Sequence, residues 1–419
     1  MSKLQELINK LCPNGVEFKP LGDISNLSRG KVYGKDYISE HRGEYPVFSS
    51  QTVNDGELGK IDTYDYDGFY LTWTTDGAYA GTIFYRQGKF SITNVCGLIS
   101  LKVNFINLKF LYYWLSIEAP KHVYYGMGNP KLMSNQMTSI MIPVPPIEVQ
   151  EEIVRILDSF SDYAAELQAE LQARKQQYEY YRNLLLTFNP SAYGCGTDDE
   201  QKDGVTTWGG HNYKIEWKKM GEICTSINTG LNPRKFFKLN TPDSEGYYVT
   251  IREIRNGRIV FSEKTDRINK EALRLCNNRS NLETGDVLFS GTGTIGQVAV
   301  VRQTPINWNI KEGVYSIKPK PNIVSSQYLR YILESRRIHD SIMKKVAGGT
   351  VQSIPMAELK NIRIPIPPLE LQEKIVAILD RFETLVNDLT NGLPAEIAAV
   401  KDQYEYYRNK LLTFKKLTA

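Results

Sequence analysis

One pattern occurs twice in this chain of 419 residues, and a duplication on that scale limits the fold more than any single motif can. Ile142–Phe160, which opens Ile-Pro-Val-Pro-Pro-Ile-Glu-Val-Gln-Glu, returns as Ile364–Phe382 with 13 of 19 positions identical at an offset of 222. Gln177–Phe188 returns as Gln403–Phe414 with 11 of 12 identical, now at an offset of 226. The second copy therefore carries four extra residues between its two blocks. A fainter echo opens each half, Val16–Ile24 against Ile215–Ile223. A period this long excludes a solenoid, so the chain reads as two units, each a globular segment followed by a helical one. The expected divisions are residues 1–146 and 213–368 for the globular domains, 147–188 and 369–414 for the helices, and 189–212 for a glycine-containing surface linker.

The helical segments follow from periodicity. Each double proline ends an extended stretch and suits the first turn of a helix. Apolar or seam positions then run Ile153, Ile156, Phe160, Tyr163, Leu167, Leu171, Arg174, Tyr178, Tyr181 and Leu185, in steps of 3 and 4 with one additional 4. This is a coiled-coil seam with a stutter, which falls in the tandem Ala165–Gln168 and Ala169–Gln172. The second copy runs from Ile375 through Ile378, Phe382, Leu385, Leu389 and Leu393 to Leu411 with one further 4, so its additional length is one helical turn. Asn391-Gly392-Leu393-Pro394 reads as a stop and restart within it. An unbroken helix over 147–188 would span about 63 Å, too long to lie buried in one domain. Antiparallel pairing of the two copies would make it a spacer; intermolecular coiled-coil dimerisation is the alternative.

The globular segments show short strands and turns: Phe69–Trp73 and Thr82–Tyr85 in the first, Tyr248–Ile251, Asp286–Phe289 and Gln297–Val301 in the second. Helices are expected at Leu108–Ile117 and Ser326–Ser341. The class is α+β: two strand-rich domains separated by two long antiparallel helices, related by a pseudo-two-fold duplication. Gly291–Gly296 matches G-x-G-x-x-G, but a strand rather than a helix follows it, and Gln297 stands where a phosphate-binding loop needs lysine. A turn is expected there. Asn189-Pro190-Ser191-Ala192-Tyr193 lacks the adjacent second proline of the adenine methyltransferase motif. Five scattered cysteines with no CxxC pair and four dispersed histidines point away from a metal site or a disulfide framework. No catalytic residue is assigned. The first residues lack an apolar signal core and no stretch approaches a membrane span, so a cytoplasmic chain without membrane contact is expected.

Residues 221–360 hold 21 Lys and Arg against 13 Asp and Glu, whereas residues 1–140 hold 14 against 13. A basic excess on one segment permits a polyanionic partner.

The duplicated Ile-Pro-x-Pro-Pro-x-Glu-x-Gln-Glu block, the long helix and the Tyr-Glu-Tyr-Tyr-Arg-Asn ending resemble the specificity subunit of type I restriction–modification systems. The resemblance covers nearly the whole chain. It implies that each globular segment is a target recognition domain reading one half of a split DNA site. The helices would pair, set the gap and dock two modification (methyltransferase) subunits. It implies no catalysis and no cofactor in this chain; the partners would use S-adenosylmethionine, ATP and Mg²⁺, the last two in restriction/translocase subunits. The two globular halves differ strongly, so the target is expected to be asymmetric. Residue types that read base edges single out Arg29, Lys31, Lys35, Ser49, Ser50, Gln51, Asn129 and Lys131 in the first half. Arg234, Lys235, Lys238, Arg252, Arg255, Asn256, Thr350 and Gln352 are their second-half counterparts. Tyr178, Tyr180, Tyr181, Arg182, Tyr404, Tyr406, Tyr407 and Arg408 are candidates for docking other subunits.

Three other readings remain open from residues alone. A related specificity chain could serve a combined cleavage–methylation enzyme. A self-contained nucleic-acid-processing enzyme would act on DNA without partners. A coiled-coil homodimer with carbohydrate- or protein-binding heads would lack the steep salt dependence of a DNA reader.

Overall fold

The computed structural model describes residues 3–126, 128–188, 204–232, 236–349, 351–388 and 392–417. It forms two compact units, Met1–Gln168 with Ile397–Ala419 and Ala169–Glu396. The labelled helices are α1 (Lys3–Leu11), α2 (Leu108–Glu118), α3 (Ile147–Leu185), α4 (Ser326–Glu334), α5 (Leu369–Asn387) and α6 (Leu393–Leu411).

In the first unit six strands form one sheet in the order Ser25–Arg29, Cys96–Leu101, Tyr66–Thr74, Ile83–Ile92, Arg42–Phe48, Glu57–Ile61. The central strand is buried along its second half, Leu71 to Thr74. Its Trp73 donates from Nε1 to the Leu132 carbonyl at 3.0 Å, which satisfies the one polar atom of a fully buried ring. Gly97 lies across from Trp73; a Cβ there would come within 2.2 Å of the ring, so this strand position excludes any side chain. Leu71, Trp73, Ile83 and Ile99 meet Leu111 and Leu115 of α2 in one core. Asn107 caps α2, accepting from the Lys109 and Phe110 amides.

The second unit divides its strands among smaller sheets, the largest ordered Cys224–Thr229, Val314–Pro319, Val287–Ser290, Val298–Val300. The expected helix over Ser326–Ser341 is two helices, α4 and Arg336–Met343, because Ser335 is extended and ends one while it begins the other. The part of the expected linker that is described, from residue 204, is a hairpin: Gly204–Trp208 pairs antiparallel with His211–Lys219 around Gly209 and Gly210. Gly291–Gly296 is a turn between Val287–Ser290 and Val298–Val300, closed by the Gly296 amide on the Ser290 carbonyl at 3.0 Å.

The duplicated block has a structural explanation. Pro146 and Pro368 accept the first helical hydrogen bonds of α3 and α5, from Val149 at 3.0 Å and Leu371 at 2.9 Å, while contributing no amide of their own. The glutamine of each block is fully buried. Gln150 Nε2 donates to the Phe105 and Pro145 carbonyls at 2.9 and 2.7 Å, and Oε1 accepts from the Asn107 amide at 2.8 Å. Gln372 does the same with Ile323, Pro367 and Ser325, each at 2.9 Å. Each glutamine thus ties the start of the long helix to the start of the domain helix packed on it. About two turns further along, Asp158 accepts from Tyr113 at 2.6 Å and Asp380 from Tyr331 at 2.6 Å.

The helical seam needs one correction. In α5 the deeply buried face is Leu371, Leu379 and Val386 together with the expected Ile375, while the expected Ile378 and Phe382 are only partly buried and Leu385 is 36% exposed. A helix packed on its own domain turns its widest apolar face to that core, which leaves the seam as a second, narrower contact. The expected break is present: α5 ends at Asn387 and α6 begins at Leu393. A Cβ on Gly392 would lie 2.5 Å from the Thr384 carbonyl oxygen, so the break requires glycine.

Candidate DNA-facing loops and helix-end contacts

Local hydrogen bonds gather several predicted residues of the first unit at one edge. Arg29 ends its strand and donates from Nη1 to the Asn94 carbonyl at 3.2 Å and from Nε to Ser134 at 3.4 Å, its guanidinium 5.9 Å from the Trp73 ring. Partial burial lowers its pKa. The Lys31 amide donates to the Ile92 carbonyl at 3.2 Å, and its ammonium pairs with Asp65, which also accepts from Tyr33 at 2.6 Å. That bond to Asp65 holds the Lys31 pKa up. Phe48 accepts from the Thr93 amide at 2.8 Å, which brings Ser49 and Ser50 to the same place. The backbones of Asp76 and Lys131 form an isolated antiparallel β-bridge, and the Gly77 amide donates to the Pro130 carbonyl at 3.0 Å; Asn129 beside them is exposed. Tyr79 and Tyr124, both exposed, flank this clasp. Lys35 begins a short helix beside Arg42 and Lys60, and the Gln51 amide is spent on the Glu57 carbonyl. Asp76–Thr82 reads from sequence as a structural turn, the counterpart of Gly291–Gly296, but nothing there marked it as part of this edge; sequence reasoning missed Thr93–Asn94, which carries no periodic signal.

The second unit repeats the clasp with different residues. The backbones of Thr292 and Ser353 form an isolated antiparallel β-bridge, and the Gly293 amide donates to the Gln352 carbonyl at 2.9 Å. Leu231 bridges Lys311 where the first unit has Lys31 and Thr93, and the Val249 carbonyl accepts from Lys311 at 2.8 Å where Phe48 accepts from Thr93. Thr250–Asn256 therefore leaves its strand from the place that Ser49 occupies. Arg252 reaches Asp266 at 2.8 Å, Arg255 donates to the Arg252 carbonyl at 2.9 Å, and Asn256 is an exposed turn residue with φ of 47°. Lys238 is exposed. Arg234, Lys235 and Thr350 lie outside the described residues.

Most of the helix-end residues expected to dock other subunits make contacts within their own unit. In the second unit Tyr178 is buried, Arg182 lies 5.3 Å from its ring and 3.8 Å from Glu334, and Tyr181 stacks on Phe382. In the first unit Arg408 lies 5.3 Å from the half-buried Tyr404, and Tyr407 stacks on Phe160. Tyr180 and Tyr406 remain 63% and 60% exposed. The physical reason is the 3.6-residue period: of adjacent tyrosines, one faces the neighbouring helix and the other faces away.

Among the described residues no group of His, Cys, Asp or Glu is placed to hold a metal ion, and no helix is long and apolar enough to cross a membrane. Cys12, Cys96, Cys224 and Cys276 are free thiols; burial pushes the last three up to about 12.

The model of the type I restriction modification DNA specificity domain matches residues 13–174 and again 213–399. A type I specificity subunit of Mycoplasma pneumoniae is 31% identical over 389 residues, covering 93% of this chain and 95% of its own. A type I restriction–modification S subunit from M. genitalium shares the fold with a TM-score of 0.53 at 14% identity over the whole of both chains. A chain from a type I system solved to explain complex assembly and conformational transition has a TM-score of 0.58 at 18% identity, covering 96% of this chain and 98% of that one.

Proposed function

The chain belongs to the DNA specificity family of type I restriction–modification systems, and on that premise we propose how its two units divide the reading of one target. It is a specificity subunit, which recognises DNA and is not itself an enzyme. Residues 1–146 and 213–368 act as the two target recognition domains, each presenting its clasped loops to one half of a bipartite site. The carrying observation is that the clasp recurs at the same place with different side chains, Asp76 and Lys131 against Thr292 and Ser353. Equal placement with unequal chemistry reads unequal base sequences, because donors and acceptors at the loop tips select base edges. Arg29, Lys31, Ser49, Asn129 and Lys131 contribute in the first domain; Arg252, Arg255, Asn256 and Gln352 contribute in the second.

Residues 147–188 and 369–414 set the gap between half-sites, with modification subunits docking along them and using S-adenosylmethionine; restriction subunits add ATP and Mg²⁺. Tyr180 and Tyr406 supply exposed aromatic contacts of the kind that subunit interfaces favour. Co-expression with a type I modification subunit, followed by methylation mapping, tests the reading. An asymmetric bipartite target is the expected result. Methylation of an undivided site, or modification of DNA by this chain alone, would overturn it.

A further inference from the structure

The loop from Ser49 to Gly56 is held by an unusual anchor. Arg86 is buried between two aromatic rings, its guanidinium 3.6 Å from Phe48 and 4.4 Å from Phe84. Nη1 donates to the Asp55 carboxylate at 2.5 Å, Nη2 to the Asp55 carbonyl at 2.7 Å, and Nε to Thr72 at 3.2 Å. A buried arginine demands such partners, so the loop cannot lift away without stranding a charge. Asn54 and Asp55 are both in the left-handed region, at φ of 52° and 54°, which among non-glycine residues Asn and Asp enter most readily, so the sequence suits this turn. The Gln51 side chain braces the other side of the loop on the Glu57 carbonyl.

This rigid frame presents two side chains that stabilise nothing. Val53 is 78% exposed, an apolar residue held in water. Asn54 is exposed, and among the described residues its amide has no hydrogen-bond partner. The loop leaves the sheet at Phe48, whose carbonyl holds Thr93 beside Lys31, so its base adjoins the proposed DNA-facing edge.

We propose that Val53 and Asn54 form a base-reading tip for the first half-site, positioned by Arg86. An asparagine amide pairs its donor and acceptor with N7 and N6 of adenine, and a valine side chain packs against the thymine methyl group, so the tip selects an A·T pair with its neighbour. Because the tip is fixed before DNA arrives, no ordering cost offsets the contact. The inference rests on the functional reading above.

The test uses the chain co-expressed with a modification subunit, comparing wild type with Asn54→Gly and Val53→Ala by methylation mapping. Glycine tolerates the left-handed conformation, so Asn54→Gly keeps the loop. The expected result is a loss of about 10–100-fold in discrimination at one or two adjacent positions of one half-site, with the other half-site unchanged. Arg86→Lys, which removes the fork, should relax the same positions. An unaltered target for both tip variants would overturn the inference while leaving the functional reading intact. Loss of assembly with the modification subunit would also overturn it, by assigning the tip to a protein contact. Failure of the wild-type complex to modify a bipartite site would instead sink the functional reading itself.

Discussion

Tyr181 stacks on Phe382 with ring centroids 5.5 Å apart and planes inclined by 23°, and its repeat-mate Tyr407 stacks on Phe160 at 5.4 Å and 24°. In each pair the phenylalanine comes from the start of one copy's helix and the tyrosine from the end of the other copy's. The contact is therefore crossed: each compact unit is completed by the helix end of the opposite repeat. A double-mutant cycle of Tyr181→Ala with Phe382→Ala should give a coupling of about 0.5–1.5 kcal/mol in denaturant melts. The Tyr407 and Phe160 cycle should match it. A coupling near zero in both would show that the stacks are incidental.

Gln150 and Gln372 each satisfy three polar groups at a helix junction with no exposure of their own. Replacing either by leucine strands one amide and two carbonyls away from water. A loss of about 2–4 kcal/mol is expected, since an orphaned buried group costs about 1–3 kcal/mol. Thermal unfolding measures it, and glutamate should not rescue, because its carboxylate donates neither hydrogen bond and would face two carbonyl oxygens.

The carboxylate of Glu152 is buried beside Arg155 at 2.7 Å and Lys3 at 2.9 Å. The hydrogen bonds from Arg155, followed by the one from Lys3, hold its pKa down to about 2, below the ordinary value of 4.5. The stabilisation is therefore complete above pH 4.5 and is lost as pH falls through about 2. Because Lys3 and Arg155 are largely exposed, its size is on the order of 1–2 kcal/mol. Glu152→Gln should flatten this part of the acid-unfolding profile; an unchanged slope would mean that other carboxylates govern it.

Ala169–Gln172 is the turn of α3 at which the chain passes from the first unit's residues to the second's. Deleting it removes about 6 Å of helix while keeping the seam nearly in register. If α3 sets the gap between half-sites, the gap should shorten by up to about two base pairs, taking 3.4 Å per step. Methylation mapping of the deletant reads this directly, and an active complex with the original gap would refute the spacer role.

The architecture was legible wherever the signal is local. The double prolines fix both helix starts because they cannot donate, and the glycine at 392 marks the break because no side chain fits against those carbonyls. The Gly291–Gly296 turn was separable from a nucleotide-binding loop by the strand that follows it. The loops at the proposed DNA-facing edge were legible only in part. Arg29 and Lys131 stand 102 residues apart, and nothing in their flanks announces that Asn94, Ser134 and Asp76 join them.

The sequence by itself determined that the chain is two related units, where its long helices begin, and that the second is interrupted, because duplication, periodicity and proline chemistry act between near neighbours. Only the tertiary structure decided that Tyr181 and Tyr407 complete the opposite copy's unit while Tyr180 and Tyr406 face water, and that Arg86 braces a loop 31 residues away. Those outcomes depend on which surfaces meet after the helices have formed. A seam written in steps of 3 and 4 states that a partner exists and is silent on which residues supply it.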